Sequence, residues 1–179
     1  MQNVIEKCVE GGNSQIILCE RGNSFGYNNL VVDMLNFQIM KDFNVPVIFD
    51  ATHSLQLPGG LGNAAGGRRE FLLPIAKAGV SQCIAGLFIE AHPNPDEAKC
   101  DGPCAISSDK IFSVLSQLSS LDKFIKEQEN KNQRLWIISI AGALLFALIL
   151  SFILFRNSKN RQKSRNRKQR EEQGFRRCN

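Results

Sequence analysis

Hydrophobic positions in the first 128 residues alternate between two periods. Three short apolar runs, Gln15–Cys19, Pro46–Phe49 and Ala85–Ile89, predict strands, and the β-branched Pro46–Phe49 is one that needs burial on both faces. Helical spacing predicts a short helix over Asn3–Val9, then helices over Leu30–Phe43, from Arg68 to about Gly79, and over Asp109–Gln128. The last of these carries Ile111, Leu115, Leu118 and Leu121 on one face, and Ser107 or Ser108 is placed to cap it. Polar or glycine-rich segments (Glu20–Asn29, Leu57–Gly67 and Glu90–Ser107) separate each strand from the following helix. Strand, loop and helix recur three times, which predicts an α/β fold made of βα units around a parallel sheet.

The pattern then changes. Residues 129–134 are polar and read as a linker, and Leu135–Phe155 follows with 21 residues and no charge. At 1.5 Å per helical residue this run spans roughly the 30 Å of a bilayer's hydrocarbon core. Trp136 lies at an interfacial position, and Arg134 and Arg156 bracket the run. A buried helix seldom reaches this length without a polar face, so the expectation is a single transmembrane helix over 135–155 and a single-pass membrane protein. Met1–Gly12 is amphipathic and has no apolar core, unlike a signal peptide.

Composition refines this division. The hydrophobic content of 43% and charged content of 22% are those of a globular chain. The net charge of +5 averages two unlike parts. Residues 156–179 hold ten Lys/Arg against Glu171 and Glu172, so the tail carries +8 and residues 1–155 carry −3. The basic tail is expected to be disordered. It could bind anionic headgroups or only set topology; no aromatic residue interleaves with Arg156–Arg170, so no nucleic acid is expected as a partner. Eight Lys/Arg follow the apolar run within Arg156–Arg170, whereas Lys123, Lys126, Lys131 and Arg134 precede it, which favours a cytoplasmic tail. The six cysteines (8, 19, 83, 100, 104 and 178) have no framework spacing, as in a reducing compartment. Cys19 and Cys83 read as small buried hydrophobes. Cys100 and Cys104 with His92 fit no usual zinc spacing.

Chemistry gathers at the ends of the predicted strands. The first ends in Cys19-Glu20-Arg21-Gly22, the second in Asp50-Ala51-Thr52-His53 and the third in Glu90-Ala91-His92, after which the loop adds Lys99 and Asp101. In parallel α/β folds, functional side chains collect at the carboxyl ends of strands. Arg21 is suited to gripping a phosphate. His53, Glu90 and Asp101 form a set of nitrogen and oxygen donors for a divalent metal, or an acid–base cluster.

Three segments carry a specific resemblance. They are Ile17–Met34 (ILCERGNSFGYNNLVVDM), Phe49–Gly60 (FDATHSLQLPGG), and Gly86–Pro93 (GLFIEAHP) followed by Cys100-Asp101-Gly102-Pro103. Together they resemble 3-deoxy-D-manno-octulosonate 8-phosphate (KDO8P) synthase, also called 2-dehydro-3-deoxyphosphooctonate aldolase, over about Met1–Gln128. The resemblance implies a transferase with a (β/α)8 barrel that condenses phosphoenolpyruvate with D-arabinose 5-phosphate, releasing phosphate in lipopolysaccharide precursor biosynthesis. It implies that Arg21 meets the phosphate of phosphoenolpyruvate, and that Gln56 and the loop ending in Gly66 and Gly67 close over the sugar phosphate. His53, Glu90 and Asp101 then correspond to catalytic residues, and to three of four ligands where a member uses a divalent metal. Metal dependence stays open, because the fourth-ligand position has no counterpart here. The family is otherwise cytoplasmic and tetrameric, so further copies of the chain or a missing amino-terminal half are expected as protein partners.

Two departures mark the limits of this match. Ala65 stands where the family pattern commonly has Ser, and only about three βα units, the carboxy-terminal part of the barrel, are recognisable. The spacing of Gly60, Gly62 and Gly66 does not suit a dinucleotide fingerprint. An alternative to the enzyme is a non-catalytic single-pass membrane protein carrying a relic of the domain.

Overall fold

The computed structural model describes residues 1–60, 62 and 65–177, with side chains described as far as Arg165. The chain divides into two units at Gln128 and Glu129.

In the first unit, β1 (Leu18–Glu20), β4 (Val47–Asp50) and β7 (Gly86–Phe88) form a three-stranded parallel sheet in the order β1-β4-β7. Leu18 pairs with Val47 and Glu20 with Phe49; Ile48 pairs with Gly86 and Asp50 with Phe88. Parallel pairing in this register brings the carboxyl ends of all three strands to one edge. The helix α1 (Gln2–Glu10) precedes the strands, and α2 (Leu35–Lys41), α3 (Leu72–Val80) and the start of α4 (Ile111–Arg177) separate or follow them. The α/β class and the parallel sheet agree with the sequence reading.

Phe37 of α2 and Phe49 of β4, both fully buried, meet edge to face with centroids 5.4 Å apart and an interplanar angle of 87°. Val47, Leu72, Ala76, Val114 and Leu118 extend this core. Gly79 is what lets α3 approach the sheet: a Cβ there would sit 2.4 Å from Phe49 Cδ1.

Several boundaries differ from the sequence expectations. Leu30 and Val31 are not helical; they form β3 and pair antiparallel with β2 (Asn23–Ser24). Asp33 turns the chain into α2, its Oδ1 accepting the Leu35 N–H at 2.9 Å. The helix expected from Arg68 begins instead with a 3-10 turn at Arg69–Phe71. Cys19 is exposed and Cys83 only half-buried, against the expectation that both are buried. Alternation along β1 explains Cys19, since Leu18 and Glu20 take the inward positions. The buried cysteine is Cys104, at 1% exposure.

The helix expected over Asp109–Gln128 starts at Ile111 and runs unbroken to Arg177. Residues 129–134 are therefore helical, and so is the tail that was expected to be disordered, as far as Arg177. Its Arg, Lys and Gln are good helix formers, and neither Pro nor Gly intervenes between Gly142 and Gly174. Residues 178 and 179 lie outside the described residues. By length and composition α4 is apolar enough to cross a bilayer.

Candidate functional site at the carboxyl ends of the sheet

β4 ends in Asp50, and a single 3-10 turn at His53–Leu55 follows it. The turn folds back on its own strand. Asp50 Oδ1 accepts the His53 N–H at 2.9 Å and the Thr52 hydroxyl at 3.1 Å, while Asp50 Oδ2 meets His53 Nδ1 at 2.8 Å. With Nδ1 held by a carboxylate, Nε2 is the nitrogen left to face the site. It lies 3.1 Å from Glu90 Oε2 and 3.7 Å from Asp101 Oδ2.

Thr52 ties the neighbouring strand to this turn. Its side chain is fully buried, and its Oγ1 accepts the Glu90 N–H at 3.1 Å while donating to Asp50. Glu90 is thereby located by backbone as well as by strand register.

Asp101 arrives from a long loop that two short contacts return to the sheet. β8 (Ala91–His92) pairs in parallel with β9 (Ile106–Ser107), and the Ile106 N–H donates to the Glu90 carbonyl at 3.0 Å. Asp101 itself adopts φ of +51°, a conformation Asp tolerates better than most residues, and its carbonyl accepts the N–H groups of Cys104 and Ala105. The ends of the loop are thus fixed while its carboxylate turns inward.

Arg21 and Gln56 complete a chain of contacts. Arg21 Nη2 donates to Gln56 Oε1 at 2.7 Å, and Gln56 Nε2 donates in turn to Asp101 Oδ1. Gln56 is buried and belongs to β5 (Gln56–Leu57), which pairs antiparallel with β6 (Gly66–Gly67). Gly67 therefore stands directly opposite Gln56. A Cβ on Gly67 would come within 2.5 Å of both Cys104 Sγ and the Pro103 carbonyl, so this strand can lie against the Asp101 loop only as glycine. Gly66 pairs with Leu57 and is buried. Residues 61, 63 and 64 of the expected closing loop lie outside the described residues.

The structure thus gathers His53, Glu90, Asp101, Gln56 and Arg21 into one contact chain and sets Gly66 and Gly67 beside it. Their ligands and roles are a separate matter. Three other residues of the site stand in the strand-end segments named above but had no role assigned from the sequence: Asp50, Thr52 and Glu20. The buried Glu20 accepts the Gly22 N–H at 2.5 Å on Oε1 and the Asn36 amide at 3.0 Å on Oε2, which fixes the chain just before Arg21. The available signal was an acid ending an apolar strand, a position where a charge must be satisfied locally.

Electrostatically, one imidazole nitrogen faces two carboxylates. One atom from each of His53, Glu90 and Asp101 can be chosen so that all three lie within 4.8 Å of one another. Such a grouping is satisfied by a cation or by a proton on Nε2. It fits a divalent metal on three counts: mixed nitrogen and oxygen donors, a carboxylate behind the histidine, and side chains only about one-fifth to one-quarter exposed. Cys104 is outside this set; burial pushes its thiol above the ordinary value, and the carboxylates of Asp101 and Glu90 act in the same direction. His92 is held in a local turn, with Nδ1 2.7 Å from the Asn94 carbonyl oxygen.

Known proteins are similar to this chain over its first unit. The chain is 64% identical over 126 residues to proteins named 2-dehydro-3-deoxyphosphooctonate aldolase from Pseudomonas fluorescens and Pseudomonas entomophila. It is 62% identical over 127 residues to the protein of that name from Azotobacter vinelandii. These alignments cover 70 or 71% of this chain and 45% of each relative, so the chain spans about half the length of the curated relatives it matches. The profile of the DAHP synthetase I family matches residues 1–127. Sheet, motifs and relatives agree, and the chain belongs to that family.

Proposed function

We propose that residues 1–128 carry the carboxy-terminal part of a KDO8P synthase active site, which condenses phosphoenolpyruvate with D-arabinose 5-phosphate and releases phosphate. The observation that carries this reading is the convergence of His53, Glu90 and Asp101 where three parallel strands end, with Arg21 joined to them through Gln56. On this reading the sheet is an arc of a (β/α)8 barrel. Among the described residues β1 and β7 are its edge strands, each with one pairing partner, and a closed barrel would supply another on each open side.

The chemistry assigned to each group follows from its atoms. Arg21 offers a planar fork of donors to a phosphate at the mouth of the site. Gln56 holds both Arg21 and Asp101, so it couples phosphate binding to the position of the carboxylate. His53 Nε2 exchanges a proton at the reacting oxygen while Asp50 fixes the imidazole. Gly66 and Gly67 anchor a segment that closes over the sugar phosphate, which excludes water from a reactive intermediate. In a metal-dependent form, His53, Glu90 and Asp101 would hold a divalent cation, which supplies Lewis-acid polarisation of a bound oxygen.

Residues 135–155 are read as a single membrane span joining this domain to the basic segment. The test of the enzymatic reading is complementation: the full chain is co-expressed with the part of a Pseudomonas relative that the alignment leaves uncovered, and phosphate release is measured. The expected result is release from phosphoenolpyruvate that requires D-arabinose 5-phosphate and both polypeptides. A well-formed complex with no turnover would favour the second reading, a membrane-anchored relic.

A further inference from the structure

Past Leu154 the surface of α4 changes character within one turn. Leu154, Asn157, Ser158, Arg161, Gln162 and Arg165 fall at intervals of three and one, which places them in a single stripe along the helix. All six are exposed. Two guanidinium groups one turn apart, with an amide and a hydroxyl one turn nearer the apolar run, form a row of donors with no carboxylate among them. No acidic residue occurs from Arg156 to Arg170. Beside the stripe, the Lys159 ammonium lies 5.6 Å from the centre of the Phe155 ring, so positive charge begins at the last apolar side chain.

We infer that this stripe is a docking surface for the headgroup phosphates of anionic phospholipids. The inference rests on the reading of 135–155 as a membrane span and adds a ligand to its end. Two arguments favour a lipid over a soluble anion or a nucleic acid. The first is depth. Arg161 follows Phe155 by six residues, about 9 Å of helix, and the headgroup layer on each side of a bilayer is roughly 5–8 Å thick. The second is direction. Helical side chains lean toward the amino terminus, which here means back toward the apolar run, and long arginines reach further that way. The Arg161 guanidinium, whose Cα lies just beyond the headgroups, is thus brought down to phosphate level, while Arg165, about 15 Å of helix past Phe155, adds its charge from outside the layer. No aromatic residue interleaves with the basic run to stack a base.

The experiment uses the full chain reconstituted in phosphatidylcholine bilayers that contain spin-labelled phosphatidylglycerol or spin-labelled phosphatidylcholine. The expected result is a several-fold preference for phosphatidylglycerol at the protein boundary. The double variant Arg161→Gln, Arg165→Gln should lose most of it, since a basic residue near an anionic surface contributes about fivefold. Equal association of the two lipids, or a preference that survives the double substitution, overturns the inference. Competition by inorganic phosphate at matched concentration, or by an oligonucleotide, overturns it in favour of a soluble anion or a nucleic acid. Release of the chain by alkaline carbonate would remove the span itself, and the inference with it; retention with no lipid preference removes only the docking surface.

Discussion

Residues 1–128 and residues 129–177 solve opposite problems. In the first unit, polar groups are taken out of water and satisfied by one another: Asp50 by Thr52 and His53, Glu20 by Gly22 and Asn36. In the second, large apolar side chains stand in the open, Leu148 at 68% and Phe152 at 65% exposure. A contiguous apolar surface of this extent is foreign to soluble monomers. Position in the first unit is specified by hydrogen bonds and packing; in the second it would be specified by the surrounding medium. Substitutions should therefore act locally and through geometry in one region, and through transfer between solvents in the other.

The sharpest contrast is expected at His53. In the complemented enzyme, His53→Ala should reduce kcat/KM by about 10²–10⁴-fold, the usual contribution of a positioned acid–base group. Asp50→Asn leaves the imidazole in place but weakens the group that orients it. A loss of about 10–100-fold is expected there, in metal affinity where a metal is used or in turnover otherwise. Phosphate-release kinetics measure the first effect, and calorimetric metal titration of the complex adds a readout for the second. Equal losses for the two variants would show that Asp50 takes part in the chemistry and does more than position His53.

The counterpart in the second unit is Leu148→Arg, three residues past the middle of the apolar run. Leu148 is 68% exposed, so little packing is lost, yet a charge near a helix centre costs about 2.5–3.5 kcal/mol of insertion free energy on the biological scale. Membrane flotation should show the inserted fraction fall markedly, while the activity of complemented molecules stays unchanged. Unaltered insertion would place this helix among those that bind a protein groove and would break the comparison.

The sequence was informative where a residue's chemistry is tied to local register. Apolar runs ending in Glu20, His53 and Glu90 placed charged groups at one edge, because parallel strands bring their carboxyl ends together whatever their neighbours are. Asp50 and Thr52 were not legible as site residues. Their importance lies in contacts made by a 3-10 turn that periodicity does not describe. An apolar run predicts burial throughout and so misplaces Cys19, whereas β1 alternates and turns Leu18 and Glu20 inward. Leu30 and Val31 were misread as helix because a two-residue antiparallel pairing is too short to leave a period. Continuity of α4 through residues 129–134 followed from helix propensity, which a reading based on polarity overlooks.

Packing in the first unit is tested more gently at Gly79. Ala is the better helix former by about 1 kcal/mol. Its Cβ, however, would enter the fully buried Phe49 ring, and overpacking of this kind costs about 1–3 kcal/mol. The clash is expected to win, because Phe49 is also held by Phe37 and has nowhere to move. Thermal unfolding of the Gly79→Ala chain in detergent should show a Tm lower by several degrees, and adding Phe49→Leu should recover part of it. A rise in Tm would mean that α3 moves freely over the sheet.

The smallest effect is expected at Cys104, where the first unit buries a titratable group and leaves it its proton. Burial raises the folded-state thiol above its unfolded value, near 8.5, and the carboxylates of Asp101 and Glu90 add to the shift. Below the unfolded value both states hold the proton, and the group contributes its full share of stability. As pH rises past that value the unfolded chain ionises first, so stability falls until the folded thiol ionises too. Denaturant unfolding in detergent between pH 8 and pH 10 should therefore show a midpoint that declines with pH, and Cys104→Ala should flatten that decline. Alkylation supplies an independent check: Cys104, at 1% exposure and beside the Gly66 carbonyl, should react far more slowly than the exposed Cys100. Comparable rates would mean that β6 opens readily from the Asp101 loop, and that the first unit is less tightly specified at its site than in its core.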